Sequence, residues 1–264
     1  MTDDAAHMLT YGSYLALDDV LDTQRPRSAE HDELLFIIVH QTYELWFKQL
    51  LHEFAKLQRD LAAGNTAHVL HTLHRCTAVL RVAITQIDVL ATLTPQQFAG
   101  FRRSLGRGSG LQSAQFREIE VVLGRRDPEV VESCAPGSAD RRRIESAMSR
   151  PSLFDSFVSY LSQCGHPVPA DQLFRDPSTP AEPSSEVQRV LRRVYRDDGL
   201  AAQISERLVD LDQGVQEWRY RHVRLVERII GGQPGTGGST GASYLRGTLF
   251  TPVFPDLWAV RDAS

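Results

Sequence analysis

The sequence predicts an all-α fold, a bundle of long helices with a smaller helical insertion, and three observations carry that prediction. Apolar residues recur at three- to four-residue spacing over long stretches, most clearly near 31–62 and 200–230. Capping residues precede several of the periodic stretches, and Gly or Asn follows them. Alternating β-branched runs are nearly absent, and no Asn-Gly or Asp-Gly turn joins two of them.

Taken in order, residues 1–30 form an N-terminal arm before the first long period. A helix over roughly 31–62 opens after Ser28-Ala29-Glu30 and stops at Ala63-Gly64-Asn65. A second spans about Thr66 to Leu93. Thr94 then caps a third, with Pro95 in the first helical position, where its missing N–H costs nothing. Ser113 to Leu123 forms the next helix, ended by Gly124. From Asp127 to Pro183 the chain is richer in Pro, Ser and Asp, which reads as a small subdomain or insertion. It holds one shorter helix around Leu153–Gln163 and a loop over Asp176–Pro183. A helix from about Ser184 to Tyr195 precedes a long one from about Leu200 to Ile230, and a Gly-rich loop follows over Gly231–Gly241. No internal repeat is visible, so residues 1–264 read as one domain.

Composition narrows the function. Hydrophobic residues make up 42% and charged residues 23% of the chain, as in ordinary globular proteins. A formal charge of -4, with arginines scattered among acids, leaves no electrostatic footprint for nucleic acid. The runs Arg125-Arg126 and Arg141-Arg142-Arg143 read as solvated faces. The start of the sequence is acidic and lacks a signal-peptide pattern, and no apolar run is long enough to span a membrane. Cys76, Cys134 and Cys164 are odd in number and far apart, matching neither a disulfide framework nor a CxxC metal pair. These features predict a reduced, cytoplasmic protein without a membrane partner.

Two histidines occupy positions that suit chemistry. His222 falls within the apolar stripe Val215, Trp218, Leu225 and Ile229, directly before the Gly-rich loop. A histidine facing inward from a rigid helix, beside a loop able to fold over a ligand, has the form of an axial haem ligand with a lid. His40 shares a helix face with Phe36 and with Tyr43 or Glu44. Arg102, near Phe98 and Phe101, could present a guanidinium fork to a ligand carboxylate. Each has a blander reading: a core histidine satisfied by one hydrogen bond, or a surface arginine covering apolar neighbours with its stem. His68, His71 and His74 drift around their helix and read as a polar face rather than a metal site.

Considered together, these segments resemble the tryptophan 2,3-dioxygenase family of haem enzymes. The resemblance is carried by Tyr11-Gly12-Ser13-Tyr14-Leu15-Ala16-Leu17-Asp18, by the block from His31 to Lys48, and by Phe101-Arg102. It continues through Ser109-Gly110-Leu111-Gln112-Ser113, Trp218-Arg219-Tyr220-Arg221-His222, Gly235-Thr236-Gly237-Gly238 and Phe254-Pro255-Asp256-Leu257-Trp258. It spans nearly the whole chain and is weakest from about 127 to 200.

The resemblance implies haem b as cofactor, with His222 as the iron ligand and Ser109 and Gly110 lining the distal side. It implies L-tryptophan and O2 as substrates and N-formyl-L-kynurenine as product, at the entry to the kynurenine pathway of tryptophan catabolism. His40 would hydrogen-bond the indole N–H beside Phe36 and Phe98, Arg102 would hold the carboxylate, and Thr236 would contact ammonium and carboxylate from the closing loop. Tyr11 and Tyr14, on the N-terminal arm, would reach a neighbouring subunit's site within a homotetramer built as a dimer of dimers. Leu111 stands where Phe is usual, and Arg107-Gly108 replace an expected Pro and small residue. Those departures border the distal pocket and leave open a relative that oxidises a substituted tryptophan or other indole as a monooxygenase. A non-catalytic haem sensor is a third reading, although it would have no need of an amino-acid clamp.

Overall fold

The computed structural model describes residues 9–237 and 241–263. Among these the regular elements are all helical: α1 (Tyr11–Leu15), α2 (Leu17–Leu21), α3 (Asp32–Ala62), α4 (Thr66–Leu90), α5 (Pro95–Arg102), α6 (Ala114–Val122) and α7 (Pro128–Glu132). They continue with α8 (Ala139–Met148), α9 (Leu153–Gln163), α10 (Ala170–Leu173), α11 (Ser185–Asp197), α12 (Leu200–Ile230), α13 (Ala242–Arg246) and α14 (Pro255–Ala259). No single helix among the described residues is long and apolar enough to cross a membrane.

The frame is α3, α4 and α12 packed together. α3 buries Val39, Phe47, Leu50, Phe54, Leu57 and Leu61 against the α4 face that carries Leu73, Leu80, Ala83, Ile84 and Ile87. Leucine- and phenylalanine-sized side chains fully removed from water contribute about 1.5–3 kcal/mol each, so this seam is a major source of the bundle's cohesion. Gly214, in the middle of α12, lets that helix press against α4: a Cβ there would lie 2.7 Å from Leu80 Cδ2. Asp212, buried two residues earlier, accepts the N–H groups of Val253 at 2.8 Å and Phe254 at 2.9 Å and the Trp258 indole at 2.9 Å. It thereby fixes the C-terminal segment against the middle of α12.

Helix ends agree with the sequence where capping chemistry is strong. Thr94 and Gln97 form a reciprocal capping box ahead of α5, and Ser152 with Asp155 forms another ahead of α9. Ser113 caps α6 by accepting from the Phe116 N–H. α3 differs from expectation. It starts at Asp32, and its first residues are not capped by a Ser28 side chain. Instead buried Glu33 reaches back to accept from the Arg27 and Ser28 N–H groups and the Ser28 hydroxyl, which holds its carboxyl below the usual range. α4 stops at Leu90, short of the expected Leu93, because Ala91-Thr92 turn the chain toward the Thr94 cap.

Two corrections concern the region after α6. The stretch read as holding one helix also contains α7, α8 and α10, the first two around a small second core of Val121, Val130, Ile144 and Ala147. The Arg125-Arg126 pair is not a solvated face. Arg126 is 2% exposed and donates to the carbonyls of Ala147 at 2.9 Å and Arg150 at 2.7 Å, satisfying the end of α8. Arg142 and Arg143 are exposed as expected, as are His68, His71 and His74.

Candidate active site

Four stretches of chain converge on one cleft. α3 supplies Phe36, His40 and Glu44, each one turn after the last, and α12 supplies Trp218, His222, Val226 and Ile230. α5 and the segment after it supply Phe98, Arg102, Ser109, Gly110 and Ser113. The Gly-rich loop closes the outer side with Gly235 and Thr236. The cleft comprises cavities of about 220 and 520 Å³ that share Phe36, His40, Glu44, Phe98 and His222. A third space of about 420 Å³ continues behind Trp218 and Phe116 toward the bundle core.

The two histidines are prepared differently. His40 Nδ1 lies 2.7 Å from the Phe36 carbonyl oxygen. A carbonyl only accepts, so Nδ1 carries the proton and Nε2 remains as an acceptor. Burial pushes the His40 pKa down, against a pull upward from the Phe36 bond and from Glu44, which keeps the ring neutral near pH 7. His222 stacks on Trp218, with ring centroids 5.1 Å apart, and neither of its ring nitrogens has a hydrogen-bond partner among the described residues. Burial, with repulsion from His40, pushes its pKa down to about 4. It is therefore a neutral imidazole with uncommitted nitrogens on the wall of an apolar cavity.

Around His40 an aromatic cluster forms the narrow part of the cleft. Phe36 lies 4.0 Å from the His40 ring, 5.9 Å from Phe98 and 5.4 Å from Phe101, centroid to centroid. One end of the inner cavity is lined by charged groups. Buried Glu120 is met by Arg117 at 2.5 Å, Arg125 at 3.0 Å and Arg219 at 3.5 Å, and Asp127 lies 3.3 Å from Arg125. Three guanidinium groups thus gather around one buried carboxylate on the wall of an apolar space.

The Gly-rich loop is docked. Arg102 donates from one terminal nitrogen to the Gln233 side-chain oxygen and from the other, at 2.6 Å, to the Pro234 carbonyl. The Thr236 hydroxyl donates to the Gly108 carbonyl at 2.5 Å. Gly237 lies against Ser109 so closely that an added Cβ would stand 2.6 Å from the Ser109 Cβ. A Gly237→Ala substitution is expected to lift the loop off the 108–110 segment and raise KM at least several-fold while leaving the melting temperature nearly unchanged. An unchanged KM would show that this contact does not serve the site.

Most sequence-predicted residues therefore meet: Phe36, His40, Phe98, Arg102, Ser109, Gly110, His222 and Thr236 line the cleft. Tyr11 and Tyr14 do not. They lie on α1 with 77% and 72% exposure and take no part in this chain's own cleft. Gly238, the last residue of the expected lid, and the Leu111 side chain lie outside the described residues. Sequence reasoning missed the Arg117–Glu120–Arg125–Arg219 cluster and Gln233. Arg117 and Glu120 are three residues apart on one helix face, which was the available signal.

Fold and site together define a class: an all-α protein that places a histidine from each of two long helices on one apolar cavity, with an arginine fork and a glycine-rich flap at its mouth. The sequence model of the family described as Tryptophan 2,3-dioxygenase matches residues 2–137 and 186–263. The chain belongs to the tryptophan 2,3-dioxygenase family. It is 58% identical over the full length of both chains to the tryptophan 2,3-dioxygenase of Anaeromyxobacter sp. (strain K). It is 49% identical to that of Herpetosiphon aurantiacus, covering 96% of this chain and 97% of the relative. Identity to the Pseudomonas aeruginosa (strain UCBPP-PA14) protein of that name is 40%, over 98% and 91% of the two chains.

Proposed function

We propose that this chain is a haem-dependent dioxygenase that adds both atoms of O2 across the indole C2–C3 bond of L-tryptophan, giving N-formyl-L-kynurenine. The observation that carries this reading is the shared cavity of His40 and His222, with Arg102 and Thr236 at its mouth, in a chain of this family.

The residues fit haem b. His222 offers a neutral nitrogen from an apolar wall, which suits an iron ligand. Arg117, Arg125 and Arg219 on the wall of the same cavity offer guanidinium groups to the two propionates, and Ser109 and Gly110 line the other side. When bound, ferrous haem supplies the electronic route by which triplet O2 reacts with a closed-shell indole.

The chain's own residues bind and orient the amino acid. Phe36 and Phe98 shape a slot for the indole ring, and the His40 Nε2 acceptor is matched to the indole N–H. Arg102 grips the carboxylate through charge-assisted bonds. Thr236 donates its hydroxyl proton to Gly108 and so retains oxygen lone pairs for the substrate ammonium. The docked loop excludes water from the mouth. Holding the substrate at both ends fixes its reacting face, which accounts for much of the rate such a site delivers.

His40→Ala is expected to lower kcat by up to about a hundredfold, the cost of a mispositioned substrate, without abolishing turnover. Wild-type kcat in that variant would remove His40 from the reaction. The reading as a whole is tested by mass spectrometry of the product formed by haem-loaded, reduced protein with L-tryptophan and 18O2. Addition of two labelled atoms supports it. A single added atom, or no product from L-tryptophan beside product from a substituted indole, would replace it with the monooxygenase or substituted-indole reading.

The proposal extends to assembly and location. Leu9, Tyr11, Tyr14 and Leu21 are all more than 70% exposed on the N-terminal arm, an apolar surface left uncovered in a single chain. That supports docking of the arm on a neighbouring subunit in a homotetramer. Three free cysteines, one fully buried, suit the reducing cytoplasm.

A further inference from the structure

The Arg102 fork is already engaged. Its two terminal nitrogens donate to two oxygens on consecutive residues, the side-chain oxygen of Gln233 and the carbonyl of Pro234. A carboxylate would present the same pattern, two oxygens to the two arms of one guanidinium. Both loop oxygens are neutral, so each bond lacks the attraction between opposite charges that a carboxylate would add in its place. Two further attachments of the loop do not involve Arg102: Thr236 donates to the Gly108 carbonyl and Gly237 rests on Ser109. Release of Gln233 and Pro234 therefore leaves the loop tethered close to the site.

We infer that Gln233 and the Pro234 carbonyl are resident place-holders on Arg102, displaced by the substrate carboxylate, and that Gln233 sets the concentration at which substrate opens its own way in. The inference rests on the assignment of Arg102 as the carboxylate anchor. Binding then exchanges two neutral acceptors for one anion on the same fork, and the affinity observed is the intrinsic affinity reduced by the fraction of molecules in which the loop holds Arg102. Gln233 thereby acts as a positioning and specificity residue. An indole with no carboxylate has nothing to exchange for the loop oxygens.

The test uses haem-loaded full-length protein, steady-state kinetics with L-tryptophan, and the variants Gln233→Ala, Gln233→Glu and Arg102→Ala. Gln233→Ala removes one place-holder and is expected to lower KM about three- to tenfold with kcat nearly constant. Gln233→Glu puts an intramolecular carboxylate on the fork and is expected to raise KM more than about tenfold. Hydrogen exchange of residues 233–237 without substrate should quicken in Gln233→Ala and slow in Gln233→Glu. An unchanged or raised KM in Gln233→Ala, with KM strongly raised in Arg102→Ala, would overturn the place-holder and leave the carboxylate assignment standing. An unchanged KM in Arg102→Ala would overturn both. A fall in KM for Gln233→Ala, a rise for Gln233→Glu and a rise for Arg102→Ala together support the inference.

Discussion

His222→Ala is expected to purify without haem, its Soret band lost and its helix content intact. The imidazole makes no hydrogen bond that its removal would orphan among the described residues, and the α12 backbone accommodates alanine without strain. What disappears is a neutral nitrogen whose low proton affinity, with a pKa near 4, leaves it free for metal at any physiological pH. Loss of the outer-shell partner of a metal ligand already costs 10–100-fold in affinity, so loss of the ligand should raise the haem dissociation constant by more than about a hundredfold. The apolar walls and the Arg117, Arg125 and Arg219 cluster remain. Added imidazole should therefore restore part of the haem content by filling the space beside Trp218. A variant that retains full haem content and a normal Soret band would overturn the assignment of His222.

The second large effect is expected at Arg102. Removing one partner of a charge-assisted pair costs about 2–3 kcal/mol when the other is left in a largely apolar pocket. That corresponds to a rise in KM for L-tryptophan of roughly 30- to 150-fold. The pocket justifies the upper part of that range. Phe98 and Phe101 are buried on the same helix, and Arg102 itself is half-buried beside them. Turnover at saturating substrate should fall less than kcat/KM, because His40 and the aromatic slot still orient the ring. Arg102→Lys should recover little, since an ammonium presents no fork. Equal losses in kcat and kcat/KM would instead place Arg102 in the reacting step.

Much of this was legible in the sequence, for identifiable reasons. The place of His222 on the cavity wall showed in its interruption of an apolar stripe, and α9 and α12 were bounded correctly because a capping box and a glycine mark their ends. Charged residues were harder. Arg126 is buried because it satisfies two carbonyls at the end of α8, a helix too short and too polar for periodicity to reveal. Arg125 follows Glu120 by five residues, but Arg219 reaches it from α12, and no local spacing announces that partner. The engagement of Arg102 by Gln233 joins residues far apart in sequence, and a glycine-rich loop by itself says nothing about where it will dock.

The grip of Asp212 on Val253, Phe254 and Trp258 has a consequence in time. Translation delivers Asp212 and His222 well before the residues that Asp212 will bind. Until those residues leave the ribosome, a buried carboxylate in the middle of α12 lacks its donors, and Val253 and Pro255 are missing from the space behind Trp218. The space behind Trp218, whose ring stacks on His222, is thus completed last. Cofactor capture is accordingly expected after synthesis of this segment rather than during it. Ribosome-stalled chains halted just before Val253 should take up haem far more weakly than chains in which Trp258 has emerged.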